Sequence, residues 1–293
     1  MTGTVQLDTA LLNSLSDLSL VARSVVEGFL SGLHRSPFLG YSSEFASYRP
    51  YIQGDNLRYV DWKVWARTDG WFVKQFEDDT NLHGQILLDA SGSMDFGTPN
   101  KFHYARLLAG SLAFLMTRQH DAPGLTLFGG DRVAALPARG HRHQLDDILE
   151  LLVRTPAGGD TLLSPALRQV VETMTRRGIA VVISDLFSTG DALLEVLRQL
   201  RVQRQEVLLF HIVAPEEVDF DLGGEFLMED SETGEIVPVH AGPFRREYLR
   251  RFADFCQRFS DECDRLEIAC HRLRTDTPLE QALTVYLEER MAR

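Results

Sequence analysis

From residue 84 onward, short apolar runs alternate with amphipathic stretches. "QILLD" (85–89), "IAVVIS" (179–184) and "EVLLFHIVA" (206–214) have no polar face. "KFHYARLLAGSLAFLMTRQH" (101–120), "HRHQLDDILELLVR" (141–154) and "GDALLEVLRQLRV" (190–202) read as helices between and beside them. A strand that is apolar on both sides needs cover on both sides. The alternation therefore predicts an α/β fold: a doubly wound, mostly parallel sheet with helices on both faces. Such a sheet gathers ligand-binding loops at the carboxyl ends of its strands.

The rest of the chain is organised around that core. Residues 81–293 form the predicted sheet domain, with a hairpin insertion near 224–239, "EFLMEDSETGEIVPV". Within it, "GLTLFGGDRVAAL" reads as two strands joined by a Gly-Gly-Asp turn. Thr98 is the expected cap of the helix that follows the first strand, Ser164-Pro165 opens another that closes on Gly178, and Thr277, Pro278 and Glu280 open the last. Residues 1–80 form a separate region, an N-terminal helix plus a small β-rich element. In the helix Leu11, Leu15, Leu18, Ala22, Val25, Phe29 and Leu33 recur three and four apart, a stripe expected to pack on the rest of the chain. After it, "GWFVKQFED" reads as a strand following a turn.

The formal net charge of −12 argues against general binding to nucleic acid or to anionic membranes. No run is apolar and long enough to span a bilayer, and the first residues lack the form of a signal peptide, so a cytoplasmic protein without membrane insertion is expected. Cys256, Cys263 and Cys270 match no zinc spacing and read as small buried hydrophobes. The nine histidines suggest no ligand set: "HRH" (141–143) reads as a surface helix start, and His211 as part of a buried strand.

Chemistry concentrates at the strand ends. "ILLDASGSMDFG" (86–97) turns from a buried strand into Asp89, Ser91 and Ser93 at every second position. Short hydroxyl and carboxylate oxygens suit a hard divalent cation such as Mg²⁺. By composition alone Asp-x-Ser-x-Ser occurs in roughly one chain in ten of this length, so the spacing is weak evidence alone. Two further loops strengthen it: "PAGGDTLLSPAL" carries Thr161 ahead of a helix, and "IAVVISDLFSTG" carries Asp185 at the end of an apolar strand. Converging at one sheet edge, these loops would gather Asp89, Ser91, Ser93, Thr161 and Asp185. The bland alternative is a polar turn whose hydroxyls cap nearby amides. Asp95 reads as a solvated loop charge, and Asp160 as an acid on the rim.

This order of motifs resembles the von Willebrand factor A fold and its metal-ion-dependent adhesion site. The preceding "EFASYRPYIQGDNLRYVDWKVWAR" is similar to the signature of the bacterial DUF58 family, as are "SETGEIVPV" and the "YLEER" ending. The resemblance covers nearly the whole chain and fits the short soluble members. It implies a binding module rather than an enzyme, holding Mg²⁺ (or Mn²⁺ or Ca²⁺) and completed by a carboxylate from a protein partner. It also implies an adaptor or co-chaperone role beside a MoxR-type AAA+ ATPase. A metal-dependent hydrolase of the phosphoesterase type and a scaffold with a vestigial site are the alternatives. Within the signature, Asp55, Arg58, Asp61 and Arg67 read first as an ion-pair network between elements, and second as a partner surface.

Overall fold

The computed structural model describes residues 15–33, 47–50, 72–75, 82–129, 132–158, 168, 171, 172, 174, 176–187, 190–220, 225–229 and 236–291. The chain divides into two compact units. One comprises Met1–Phe29 and Leu82–Arg293, so the first helix, α1 (Leu15–Leu33), belongs to the sheet unit up to Phe29. The other, Leu30–Asn81, contains an antiparallel pair, β1 (Ser47–Pro50) and β2 (Phe72–Gln75), in the register Tyr48 to Lys74.

The sheet unit is built on six strands: β3 (His83–Asp89), β4 (Ala122–Gly129), β5 (Arg132–Leu136), β6 (Gly178–Ser184), β7 (Glu206–Val213) and β10 (Ala269–Arg274), in the spatial order β10-β7-β6-β3-β4-β5. β3 lies parallel to both neighbours, with Ile86 opposite Leu125 on one side and Val181 on the other. β5 runs antiparallel to β4 and closes that edge. β8 (Glu225–Glu229) and β9 (Ile236–His240) form the expected hairpin as a separate sheet. This is the doubly wound, mostly parallel α/β fold that the alternation predicts and that the von Willebrand factor A resemblance implies.

The two faces follow the strand period of two. Leu87, Ala180, Val182 and Leu209 share one cluster with Leu193, Leu197 and Leu200 of α4 (Gly190–Val202) and with Phe259 and Cys263 of α6 (Ala241–Arg265). Gly84 lies on the opposite face, and a side chain there would sit 2.6 Å from the Met116 sulfur of α2 (Lys101–Arg118). Ile86 and Leu88 follow it on that face.

α2 is buried along nearly all its length, beside α3 (Gln144–Arg154) and α7 (Leu279–Met291). At Gly110 an added Cβ would meet Leu149 at 3.2 Å and Ala22 of α1 at 3.8 Å, so three helices approach there closely. The α1 stripe is buried as expected at Leu18, Ala22, Val25 and Phe29. Leu11 and the side chains of Leu15 and Leu33 lie outside the described residues.

Two boundaries differ from the sequence expectation. Thr98 does not cap α2. Asn100 does, its side-chain oxygen accepting the His103 amide at 3.0 Å. Gly178, expected to stop a helix, is instead the first residue of β6; a Cβ there would strike the His83 carbonyl at 2.1 Å, so pairing with β3 requires glycine. Cys256 and Cys263 are buried free thiols, His211 is buried in β7, and His141 and His143 are exposed, as the sequence suggests, whereas Cys270, also expected to be buried, is half-buried. Burial, reinforced by Arg272, pushes the His211 imidazole down to about 4, so it is neutral at physiological pH. Among the described residues, no helix is long and apolar enough to cross a membrane.

Candidate metal centre

β3 and β6 are adjacent and parallel, with Leu88 opposite Ile183. Their next residues, Asp89 and Ser184, therefore emerge side by side on one face at the carboxyl edge. The Ser184 hydroxyl donates to Asp89 Oδ2 at 2.6 Å and accepts the Leu186 amide at 3.0 Å. Asp89 Oδ1 accepts the Ser91 amide at 3.0 Å. Asp89 is fully buried. Burial first, and the charge of Asp185 second, raise its carboxyl from 3.8 to about 7.

The loop after Asp89 turns tightly through a short 3-10 segment, Gly92–Met94. That turn brings the Ser91 and Ser93 hydroxyls into a hydrogen bond with each other at 3.0 Å, Ser91 buried and Ser93 half-buried. The loop is held from two sides. The Ala90 amide donates to Phe128 O at 2.7 Å, and the Gly158 amide donates to Ala90 O at 2.9 Å. The second contact ties the segment leading toward Thr161 to the first motif. Gly129 packs so closely that a Cβ there would lie 2.7 Å from the Ala90 carbonyl carbon and 2.8 Å from the Ser91 nitrogen.

Asp185 follows β6 directly and is fully buried. Its Oδ1 accepts the Phe187 amide at 3.2 Å, and its Oδ2 lies 2.7 Å from Lys101 Nζ. The next residue, Leu186, has φ of +66°, a conformation uncommon for a side-chain-bearing residue, and its buried side chain in the core fixes it. The chain thus turns sharply and leaves Asp185 at the edge.

Lys101, Glu217 and Ser184 complete the site, and the sequence expectation did not include them. Lys101 opens α2 and is only 1% exposed. Its ammonium also reaches Glu217 Oε1 at 2.6 Å, while Glu217 Oε2 accepts the Ala214 amide at 2.7 Å. Burial alone would lower the lysine pKa, but Asp185 and Glu217 hold it above its ordinary value. Burial raises Glu217, against the pull of Lys101. The rings of Phe96 and Phe187 lie 5.6 and 5.2 Å from the same nitrogen.

Asp89, Ser91, Ser93 and Asp185 are therefore brought to one edge of the sheet. Thr161 and Asp160 lie outside the described residues, as do Asp55, Arg58, Asp61 and Arg67. Asp95 is exposed and accepts from Asn100 Nδ2 at 2.8 Å, which is a loop-stabilising role. Among the described residues no three His, Cys, Asp or Glu side chains gather to hold an ion. A centre here would draw on hydroxyls.

The residues fit Mg²⁺ on two counts. Neighbouring oxygens in an octahedral shell with Mg–O bonds of about 2.0–2.1 Å stand about 3 Å apart, which is the Ser91–Ser93 spacing. In addition, Asp89 is a buried acid beside a second acid, and burial and Asp185 together raise its carboxyl to about 7. Lys101 answers Asp185 and Glu217, and among the described residues no ammonium pairs with Asp89.

The family described as "Protein of unknown function DUF58" matches the chain over residues 47–257. Uncharacterized proteins of Mycobacterium tuberculosis and Mycobacterium bovis are each 30% identical to it over 253 residues, covering 84% of this chain and 78% of theirs. Among solved structures, BatB from Bacteroides thetaiotaomicron aligns at a TM-score of 0.47 and 14% identity, covering 72% of this chain and 100% of that one. An aerotolerance-related membrane protein from Bacteroides fragilis aligns at 0.46 and 17%, covering 72% and 99%.

Proposed function

This chain belongs to the DUF58 family, and we propose that it is a metal-dependent protein-interaction module rather than an enzyme. In this reading Ser91, Ser93 and Thr161 offer neutral oxygens to Mg²⁺ (or Mn²⁺ or Ca²⁺), and Asp89 and Asp185 supply negative charge, directly or through water. The bound cation would supply a Lewis-acidic position that a carboxylate of a protein partner can complete. The observation that carries the reading is the pair of Ser91 and Ser93 hydroxyls, 3.0 Å apart above a buried Asp89.

The chain's own residues do the preparation. Ser184 and the Ser91 amide hold both oxygens of Asp89 in place, so little ordering is left for the moment of binding. Lys101 fixes Asp185 in the same way. An interaction site that keeps one position for a partner acid couples partner and metal reciprocally. The candidate partner is a MoxR-type AAA+ ATPase, with this chain as its adaptor or co-chaperone.

The test is binding of that ATPase to the purified chain, with Mg²⁺ and with chelator. The proposal expects affinity to fall in chelator, and to fall in Mg²⁺ when Thr161→Ala is used. Equal affinity in all conditions would remove the metal from the interaction. Turnover of a generic phosphoester that requires Asp89 would favour the hydrolase alternative instead.

A further inference from the structure

An aromatic ladder runs along α6 and ends beside the candidate metal centre. Phe244, Tyr248, Phe252 and Phe255 recur four, four and three residues apart, which places them on one helical face. Their rings stack in sequence: Phe244–Tyr248 at 6.2 Å and Tyr248–Phe252 at 6.0 Å. Phe187 continues the ladder, 6.1 Å from Phe252 and 5.9 Å from Phe255. It stands two residues beyond Asp185. Phe187 and Phe244 are 42% and 36% exposed, so both ends of the ladder meet solvent. Between them lies a groove of about 970 Å³, room for several side chains.

The charge of the groove is opposite to that of the chain. Along its wall Arg250 pairs with Glu247 at 2.8 Å and Asp254 at 3.1 Å, and Arg251 with Glu247 at 2.6 Å; Arg258 then leaves the lining with one net positive charge, in a chain whose formal charge is −12. A cation at the metal centre would add to the positive end. A second copy of so acidic a chain, or an anionic membrane, is repelled at long range.

We infer that this groove binds an acidic partner segment that carries a large apolar side chain beside the carboxylate that reaches the metal. The inference rests on the interaction-module reading and names the chemistry of its partner. The apolar side chain gains contact with Phe187, Phe252 and Phe255, where stacking adds to burial. A flanking acid meets Arg258, which sets orientation and speeds encounter.

The experiment uses the full chain and three labelled hexapeptides, read by fluorescence anisotropy in Mg²⁺ and in chelator. The first peptide is Glu-Asp-Phe-Asp-Leu-Glu; the second replaces Phe and Leu by Ser; the third replaces every acid by Lys. Phe244→Ser and Arg258→Glu, both outside the metal centre, are the test variants. The first peptide is expected to bind at least tenfold more tightly than the others, and each variant to weaken it about tenfold while Mg²⁺ titration heats stay unchanged.

Four results would overturn the groove: equal binding by the Lys peptide, unchanged affinity in both variants, no binding at millimolar peptide, or a dimer that Phe244→Ser dissolves. Binding to phosphatidylglycerol vesicles that Phe244→Ser abolishes would likewise replace the peptide by a membrane. If the first peptide binds alike in Mg²⁺ and chelator yet still responds to both variants, the metal reading fails and the groove stands.

Discussion

The ammonium of Lys101 lies 2.7 Å from Asp185 and 2.6 Å from Glu217, with the lysine side chain 1% exposed. Among the described residues it is the internal cation of a site otherwise built from acids and hydroxyls. Its geometry is good: both carboxylates keep a second hydrogen bond, to the Phe187 and Ala214 amides. Removing one partner of such a network strands the others in a medium that solvates them poorly.

Lys101→Met should therefore lower unfolding free energy by about 3–5 kcal/mol in chelator. Denaturant melts of both proteins, compared at equal slope, measure this. A loss below about 1 kcal/mol, the range of exposed pairs, would mean that the three groups are not ionised together.

The raised Asp89 carboxyl gives a pH signature in metal-free protein. Between its ordinary value of 3.8 and its native value of about 7, the folded chain holds a proton that the unfolded chain has lost. The stability contribution of Asp89 is then largest at acid pH and declines as pH rises through that window. Wild type should lose stability relative to Asp89→Asn between about pH 4 and pH 7 in chelator. Parallel pH curves for the two proteins would place Asp89 in contact with water or with a cation of the protein's own.

Gly129→Ala tests the support of the motif loop. The added Cβ would collide with backbone atoms of Ala90 and Ser91, which cannot rotate aside. A cost of about 1–3 kcal/mol is expected, with weaker Mg²⁺ binding because the Ser91 backbone must move. Unchanged melting together with unchanged metal affinity would show that the loop accommodates the methyl group.

Chelator should leave the fold intact. The proposed oxygens lie on loops, while the core of β3, β6 and β7 with their covering helices is buried without them. Melting in chelator should shift only by the linkage due to lost ligand. Loss of the far-ultraviolet circular dichroism signal on chelation would make the metal structural instead.

The fold was legible because its strands are apolar on both faces, a pattern that leaves few alternatives to a covered parallel sheet. Asp89 and Asp185 were legible for the same reason: each ends such a strand, where an acid has no core role. Ser184 was not, because its partner is Asp89 on the neighbouring strand, and only the register brings them together. Lys101 carried a signal that periodicity misses. A lysine at the first residue of a helix opposes the helix dipole, so its position there calls for compensating acids. Glu217 was hidden by its ordinary task, accepting a backbone amide at the start of α5 (Pro215–Asp219), while its other oxygen reaches Lys101.

The central claim is that Asp89, Ser91 and Ser93 form a cation site, and calorimetric titration of Mg²⁺ into the purified chain tests it most directly. Wild type should bind one equivalent. Asp89→Ala should abolish the signal or weaken it by more than tenfold, because a full charge is lost. Ser91→Ala should weaken it less, since a neutral oxygen is lost and water can replace it. No binding by wild type, or an affinity indifferent to Asp89→Ala and to Ser91→Ala alike, would contradict the account.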